Sequence, residues 1–212
     1  MERRRIALLF TAAAVALAAA IVGIVGASVS NNNSTDRPAS DPIVSGPQSP
    51  FEGAELPDGV RAPDFSLRDE NGRRVRMREY RGEPVIVTFL YSHCKTECPV
   101  QAQQIKGALD RLRHDLPALA VSVDPPGDTP KSIKSFNRKM GVTGRIRWIR
   151  GTEKQLRRLW KGFAIVPQTP TQEHLARIVL IDAKGVQRVG FPASQTTPEA
   201  LSHDLALLER ES

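Results

Sequence analysis

The sequence predicts a mixed α/β domain with a central sheet covered by helices on both faces. Three observations carry this. PVIVTFLY (84–91) is an unbroken apolar run, as expected of a strand buried on both sides. Leu119 to Val123, within ALAVSVD, reads as a second such strand. Segments with helical spacing follow each of them, and strands joined by helices imply helices on both faces of one sheet.

The elements follow in order. The folded part begins at about residue 61, where short alternating runs flank Asn71-Gly72, a hairpin turn signal. After strand 84–91, CPVQAQQIKGALDRLRHDL has helical spacing, with Val100, Ile105, Leu109 and Leu112 as its buried stripe. TPKSIKSFNRKMGV predicts a second helix, with Thr129 as N-cap, Pro130 at its first position and Gly141 at its end. RIRWI reads as a short strand, and TEKQLRRLWKGF as a third helix capped by Thr152. ARIVLIDAKGVQRVGFP gives two strands around Ala183-Lys184-Gly185. TPEALSHDLALLERE closes the chain as an amphipathic helix with Leu201, Leu205 and Leu208 inward. Hairpin, β, α, β, α, β, α, β, β, α is the order of a thioredoxin-like fold with an N-terminal β-hairpin extension and an extra helix.

Appendages precede this domain in the 212-residue chain. Residues 1–5, MERRR, form a short basic segment that favours the cytoplasm. Residues 6–29 carry no charge and no proline. At about 1.5 Å rise per residue they reach roughly 36 Å, enough to cross a hydrocarbon core of about 30 Å. They predict a single transmembrane helix, with a cleaved signal peptide as the alternative reading. Residues 30–60, rich in Ser, Asn, Pro, Asp and Gly, read as a flexible tether. The domain, 61–212, is therefore expected outside the cytoplasm on a single-pass cell-membrane protein. The formal charge of +7 is spread widely, with two basic patches in the arginine-rich stretches 73–81 and 145–161. Outside the cell membrane, nucleic acid is a poor partner for them; anionic lipid or an acidic protein fits better, and a solvated face that keeps the domain soluble is the plainer alternative.

Both cysteines lie in YSHCKTECPV, where strand 84–91 gives way to a helix. In such sheets reactive groups gather beyond the carboxyl ends of the strands. A helix starting near Thr96 puts Cys98 in its first turn and Cys94 in the preceding loop. Unpaired N–H groups and the positive dipole end there favour thiolates. A thiolate attacks disulfides and also binds soft metals, and the three-residue spacing allows both. An imidazole would complete a three-coordinate site able to hold Cu(I) or Cu(II). Of the four histidines, His93 neighbours Cys94 but points elsewhere. His114, near a helix end, and His203, on a polar helix face, read as solvated. His174, in the loop before an apolar strand, is the candidate, with an ordinary loop histidine as the alternative reading.

Four blocks carry a resemblance to a known family: GEPVIVTFLYSHCKTECP, VSVDPPGDTPKSIKSF, IRGTEKQLRRLWKGFAI and EHLARIVLIDAKG. Together they resemble the Sco/SenC proteins, membrane-tethered thioredoxin-like copper chaperones for cytochrome c oxidase assembly. The resemblance covers about residues 51 to 210. It implies Cys94, Cys98 and His174 as copper ligands and Asp124 as a supporting or partner-contacting residue, with capping of the turn before Pro125 as the alternative. It implies copper, as Cu(I) or Cu(II), delivered to the copper-containing oxidase subunit by a monomer that can itself draw on a donor protein. Lys95-Thr96-Glu97 between the cysteines and Gln172-Glu173 before the histidine depart from the family pattern. The competing expectation is an enzyme, a thiol–disulfide oxidoreductase in which Cys94 attacks and Cys98 resolves. A peroxidase fits less well, because the chain lacks a Thr-x-x-Cys arrangement with an upstream Pro.

Overall fold

The structure, a computed structural model, describes residues 49–167 and 176–212. The expected anchor at 6–29 and His174 lie outside the described residues. Among the described residues no helix is long and apolar enough to cross a membrane.

Apolar runs build the strands and cap signals start the helices. The strands are β1 (Ala54–Glu55), β2 (Ser66–Arg68), β3 (Arg74–Arg76), β4 (Val85–Leu90), β5 (Ala118–Ser122), β6 (Ile146–Ile149), β7 (Arg177–Ile181) and β8 (Gln187–Pro192). The helices are α1 (Glu97–Leu112), α2 (Pro130–Met140), α3 (Glu153–Gly162) and α4 (Pro198–Arg210). Thr129, Thr152 and Thr197 accept the N-cap bonds of α2, α3 and α4. Gly141 ends α2 with φ 63°, a left-handed conformation that spares glycine a Cβ clash.

The main sheet runs β1-β8-β7-β4-β5-β6. β4, β5 and β6 are parallel; β7 pairs antiparallel with β4 and β8 antiparallel with β7, as the closing ββα order predicts. Side chains of β4 alternate between two cores. Ile86 and Leu90 pack beneath α1, α2 and α4, whereas Val85, Val87 and Phe89 pack with α3 and the β2–β3 hairpin. The hairpin is a separate two-stranded sheet, turned at Gly72 with φ 79°. It docks on the main sheet through the Arg150 N–H, which donates to the Arg68 carbonyl at 2.8 Å.

Two expectations are corrected. Val100 is 45% exposed, not part of the buried stripe. With α1 starting at Glu97, the inward positions are Cys98, Gln101, Ala102, Ile105, Ala108 and Leu109, and Val100 falls two residues out of phase with Cys98. Residues 51–56, read from composition as tether, are folded: Phe51 is buried and β1 pairs with β8. The strand is short and polar, so no sequence periodicity announces it. Its anchor is tertiary. Asp204, fully buried on α4, accepts the N–H groups of Glu52 and Gly53, each at 2.9 Å. Gly53 is required there, since a Cβ would come within 2.5–2.7 Å of Val189 and Phe191.

Asp204→Ala should therefore lower stability by about 2 kcal/mol, because two charge-assisted bonds are lost at once. Urea denaturation measures the loss. Hydrogen exchange should show Glu52 and Gly53 deprotected while α1 amides stay protected.

Candidate metal centre

β4 delivers the chain into a tight turn at its carboxyl end. The Cys94 N–H donates to the Tyr91 carbonyl at 3.2 Å and sets the turn before α1. Thr96 occupies the N-cap position of α1, yet its hydroxyl makes no capping bond. A sulfur takes that role: the Cys98 N–H donates to Cys94 Sγ at 3.2 Å. The expected placement of both cysteines holds. Both are free, and both are buried, Cys94 at 8% and Cys98 at 0% exposure.

The two thiols differ electrostatically. The hydrogen bond from the Cys98 side chain, aided by the N–H groups of Cys98 and Thr96 and by the Tyr91 side chain, pulls Cys94 down to about 5 against the opposing effect of burial. Burial pushes Cys98 well above the usual thiol range, reinforced by its bond to Cys94 and by the charges of Cys94 and Asp128. One proton is thus held by Cys98 between the sulfurs. At neutral pH the pair presents one thiolate, ready as nucleophile or soft-metal ligand, and one thiol that releases its proton when a metal or a disulfide engages it.

An aspartate not singled out from the sequence holds the turn in place. Asp128, 1% exposed, accepts the Ser92 N–H at 2.6 Å with Oδ1 and the Ser122 hydroxyl at 2.5 Å with Oδ2. Its own carbonyl accepts Arg150 Nε–H at 2.8 Å. One residue therefore links the segments leaving β4, β5 and β6. Burial raises its pKa, while the Ser122 and Ser92 bonds favour the charged form. Two signals could have pointed to it: it directly precedes the N-cap Thr129, and Ser122 is a lone polar residue ending an apolar strand. Asp124 does something more local. Its Oδ1 accepts the Gly127 N–H at 3.3 Å, the turn-capping arrangement, and a Cβ at Gly127 would overlap its carboxylate.

The other histidines stand as expected. His93 is exposed, with Nδ1 at 3.4 Å from the Ser92 hydroxyl. His114 is exposed beyond the end of α1. Its bonds to Glu209 at 2.8 Å and to the Leu112 carbonyl raise its pKa. His203 is half-exposed and contacts Asp204 at 2.9 Å. Among the described residues no group of three His, Cys, Asp or Glu side chains converges as a metal site. The two sulfurs are thus the soft donors that the described residues bring together. The β4–β7 register, with Thr88 opposite Ile178, brings Ala176 to the sheet edge from which the cysteine turn leaves. Beside Cys94 lies an open cleft of about 490 Å³, with Phe136, Met140 and Pro99 as its apolar lining and Lys95, Lys131 and Lys139 at its margin.

The SCO1/SenC family model matches residues 55–208. Protein SenC of Rhodobacter capsulatus is 32% identical over 143 residues, covering 62% of this chain and 61% of that protein. The chain thus matches less than two thirds of that relative's length. The structure of Bradyrhizobium japonicum ScoI with copper bound is 24% identical and aligns with TM-score 0.55 over 70% of this chain and 99% of that one. BsSco, described as a member of the Sco family of cytochrome c oxidase assembly proteins, is 19% identical with TM-score 0.65, over 75% of this chain and 99% of its own. These likenesses establish a mixed α/β, thioredoxin-like Sco fold.

Two measurements test the geometry. Iodoacetamide should modify Cys94 at a rate that rises through about pH 5 and is flat from pH 6 to 8, with Cys98 protected. Peptide mapping by mass spectrometry reads this, and a Cys94 rate still climbing at pH 9 would contradict the thiolate assignment. Asp128→Ala should cost about 2 kcal/mol, since it strands a half-buried N–H and a buried hydroxyl. It should also speed modification of Cys98 by loosening the turn.

Proposed function

The chain belongs to the SCO1/SenC family, and on that premise we propose that it is a membrane-tethered, extracytoplasmic copper chaperone delivering copper to cytochrome c oxidase during assembly. The observation that carries this reading is the pair of contacting sulfurs at the start of α1, one charged and one still protonated. Such a donor pair suits Cu(I), which prefers soft thiolates. In this reading His174 supplies the third ligand. The position of Ala176 beside the exit of β4 supports it, because the chain carrying His174 enters β7 at that edge. Three ligands leave the ion open, so an incoming thiolate from the copper-containing oxidase subunit can displace Cys94 and Cys98 in turn. Asp124, at the loop after β5, acts as a support of that face or as a contact for the partner.

Residues 6–29 serve as the single-pass anchor, with MERRR on the cytoplasmic side and the segment from residue 30 as the tether. A short flexible tether gives effective concentrations on the order of millimolar. The carrier acts as a monomer, which keeps its site open, and receives copper from a donor protein.

The asymmetry of the thiols supports a second reading, a thiol–disulfide reductase acting on the oxidase's own cysteines or on other extracytoplasmic proteins. Cys94 thiolate attacks a substrate disulfide and expels one thiolate. Cys98, giving up its proton, then attacks the mixed disulfide and expels the second. Two electrons pass to the substrate and a Cys94–Cys98 disulfide remains.

Titration of the detergent-solubilised chain with Cu(I) and Cu(II), alongside His174→Ala, separates the readings. The chaperone reading expects one ion per chain. It also expects the variant to lose Cu(II) affinity by more than the roughly 100-fold typical of a merely supporting residue, with an unchanged disulfide-reduction rate. Tight binding indifferent to His174 would count against the ligand set. Copper lost to a competing chelator, with rapid disulfide reduction retained, would leave the enzyme.

A further inference from the structure

The two arginine-rich stretches of the sequence meet in space, and they do so around a cavity. Arg68 on β2 and Arg74 on β3 are direct cross-strand partners. Arg68 is also bridged through the backbone to Arg150, which follows β6. The three line an open cleft of about 450 Å³, together with Ser66, Thr152 and Gln155. Like charges set directly opposite each other on a hairpin are destabilising. Neighbouring arginines relieve their charge on acids: Arg76 pairs with Glu79 at 2.7 Å, and Arg145 pairs with Asp110 and Asp115. Among the described residues, none of the three cleft arginines forms an ion pair. The contacts they make are to neutral oxygens: Arg68 to the Gly72 carbonyl, Arg74 to the Ser66 hydroxyl at 3.4 Å, and Arg150 to the Asp128 carbonyl. No acidic side chain lines the cleft.

The floor has the same polarity as the walls. Thr152 caps α3 at the cleft, so the positive end of a 10-residue helix opens on it. The cleft also lies beyond the carboxyl end of β6, the edge of the sheet where ligands of such folds bind. Planar guanidinium groups hold oxyanions through paired N–H bonds, and the Ser66 hydroxyl can add a single one.

We infer that the cleft between the β2–β3 hairpin and the start of α3 is a binding site for a phosphate-type oxyanion, held by Arg68, Arg74 and Arg150. The same chemistry is offered by free inorganic phosphate and by the headgroup of an anionic phospholipid. The site is separate from the cysteine turn, and Arg150 connects the two through the Asp128 carbonyl.

Calorimetric titration of the full chain in nonionic detergent micelles, with inorganic phosphate against chloride at matched ionic strength, tests the site. Saturable binding of one phosphate per chain is expected. It should weaken at least about tenfold in Arg74→Gln and be unchanged in Arg210→Gln, which removes the same charge from an exposed arginine at the end of α4, outside the cleft. Arg74→Lys should fall between, because it keeps the charge and loses the fork. Micelles doped with phosphatidylglycerol separate the sources. Tight binding to them that phosphate displaces assigns the headgroup, whereas phosphate binding indifferent to the lipid assigns the free ion. Either supports the site. Equal weakening in Arg74→Gln and Arg210→Gln, heats matched by chloride, or no response to either probe would overturn it.

Discussion

A sulfur capping a helix is the interaction on which the site depends. α1 begins without the usual hydroxyl cap, and Cys94 Sγ accepts the N–H of Cys98 in place of the Thr96 side chain. A helix N-terminus stabilises negative charge through its free N–H groups and dipole, so the sulfur is favoured as thiolate. The helix that receives the sulfur also buries the second cysteine in its first turn, where the same surroundings keep that thiol protonated. Backbone geometry and protonation state are therefore one arrangement. A pair with one proton to lose suits either soft-metal binding or stepwise thiol exchange.

The arrangement needs a rigid frame, and Asp128 supplies it. A buried carboxylate is costly unless its oxygens are satisfied. Here one oxygen takes a main-chain N–H from the cysteine turn and the other a hydroxyl from the end of β5. Breaking either bond would expose the desolvation penalty, so the loops leaving the parallel strands are held together. The Arg150 bond to the Asp128 carbonyl extends this link to β6 and to the arginine cleft. Two cores, one on each face of the sheet, carry the frame.

Much of this was legible in the residues. The apolar runs of β4 and β5, the threonine caps of α2 and α3, the Asn71-Gly72 turn and the position of both cysteines follow from local pattern, because each is decided by residues within a few positions. Asp128 was not legible as the organising residue, since Asp124 has the same chemistry four positions earlier. The approach of Ser92 from another loop and of the Ser122 hydroxyl from the end of β5 separates them. Val100 was misassigned because the phase of a helix depends on where it starts. β1 was missed because two exposed residues carry no periodicity, and the segment leading into it is held by Asp204, 152 and 151 residues from Glu52 and Gly53.

The sequence by itself determined the element order from the β2–β3 hairpin onward, the family and the chemical type of the site: two thiols at the end of a buried strand, where a helix begins. Those features depend on hydrophobic periodicity, caps and residue identity, all of them local. The tertiary structure alone decided which thiol is charged, which aspartate holds the turn, and that arginines more than seventy residues apart line one cleft. Each of these depends on desolvation and on distances between segments remote in the chain, and neither exists until the sheet has brought the loops at its carboxyl edge together.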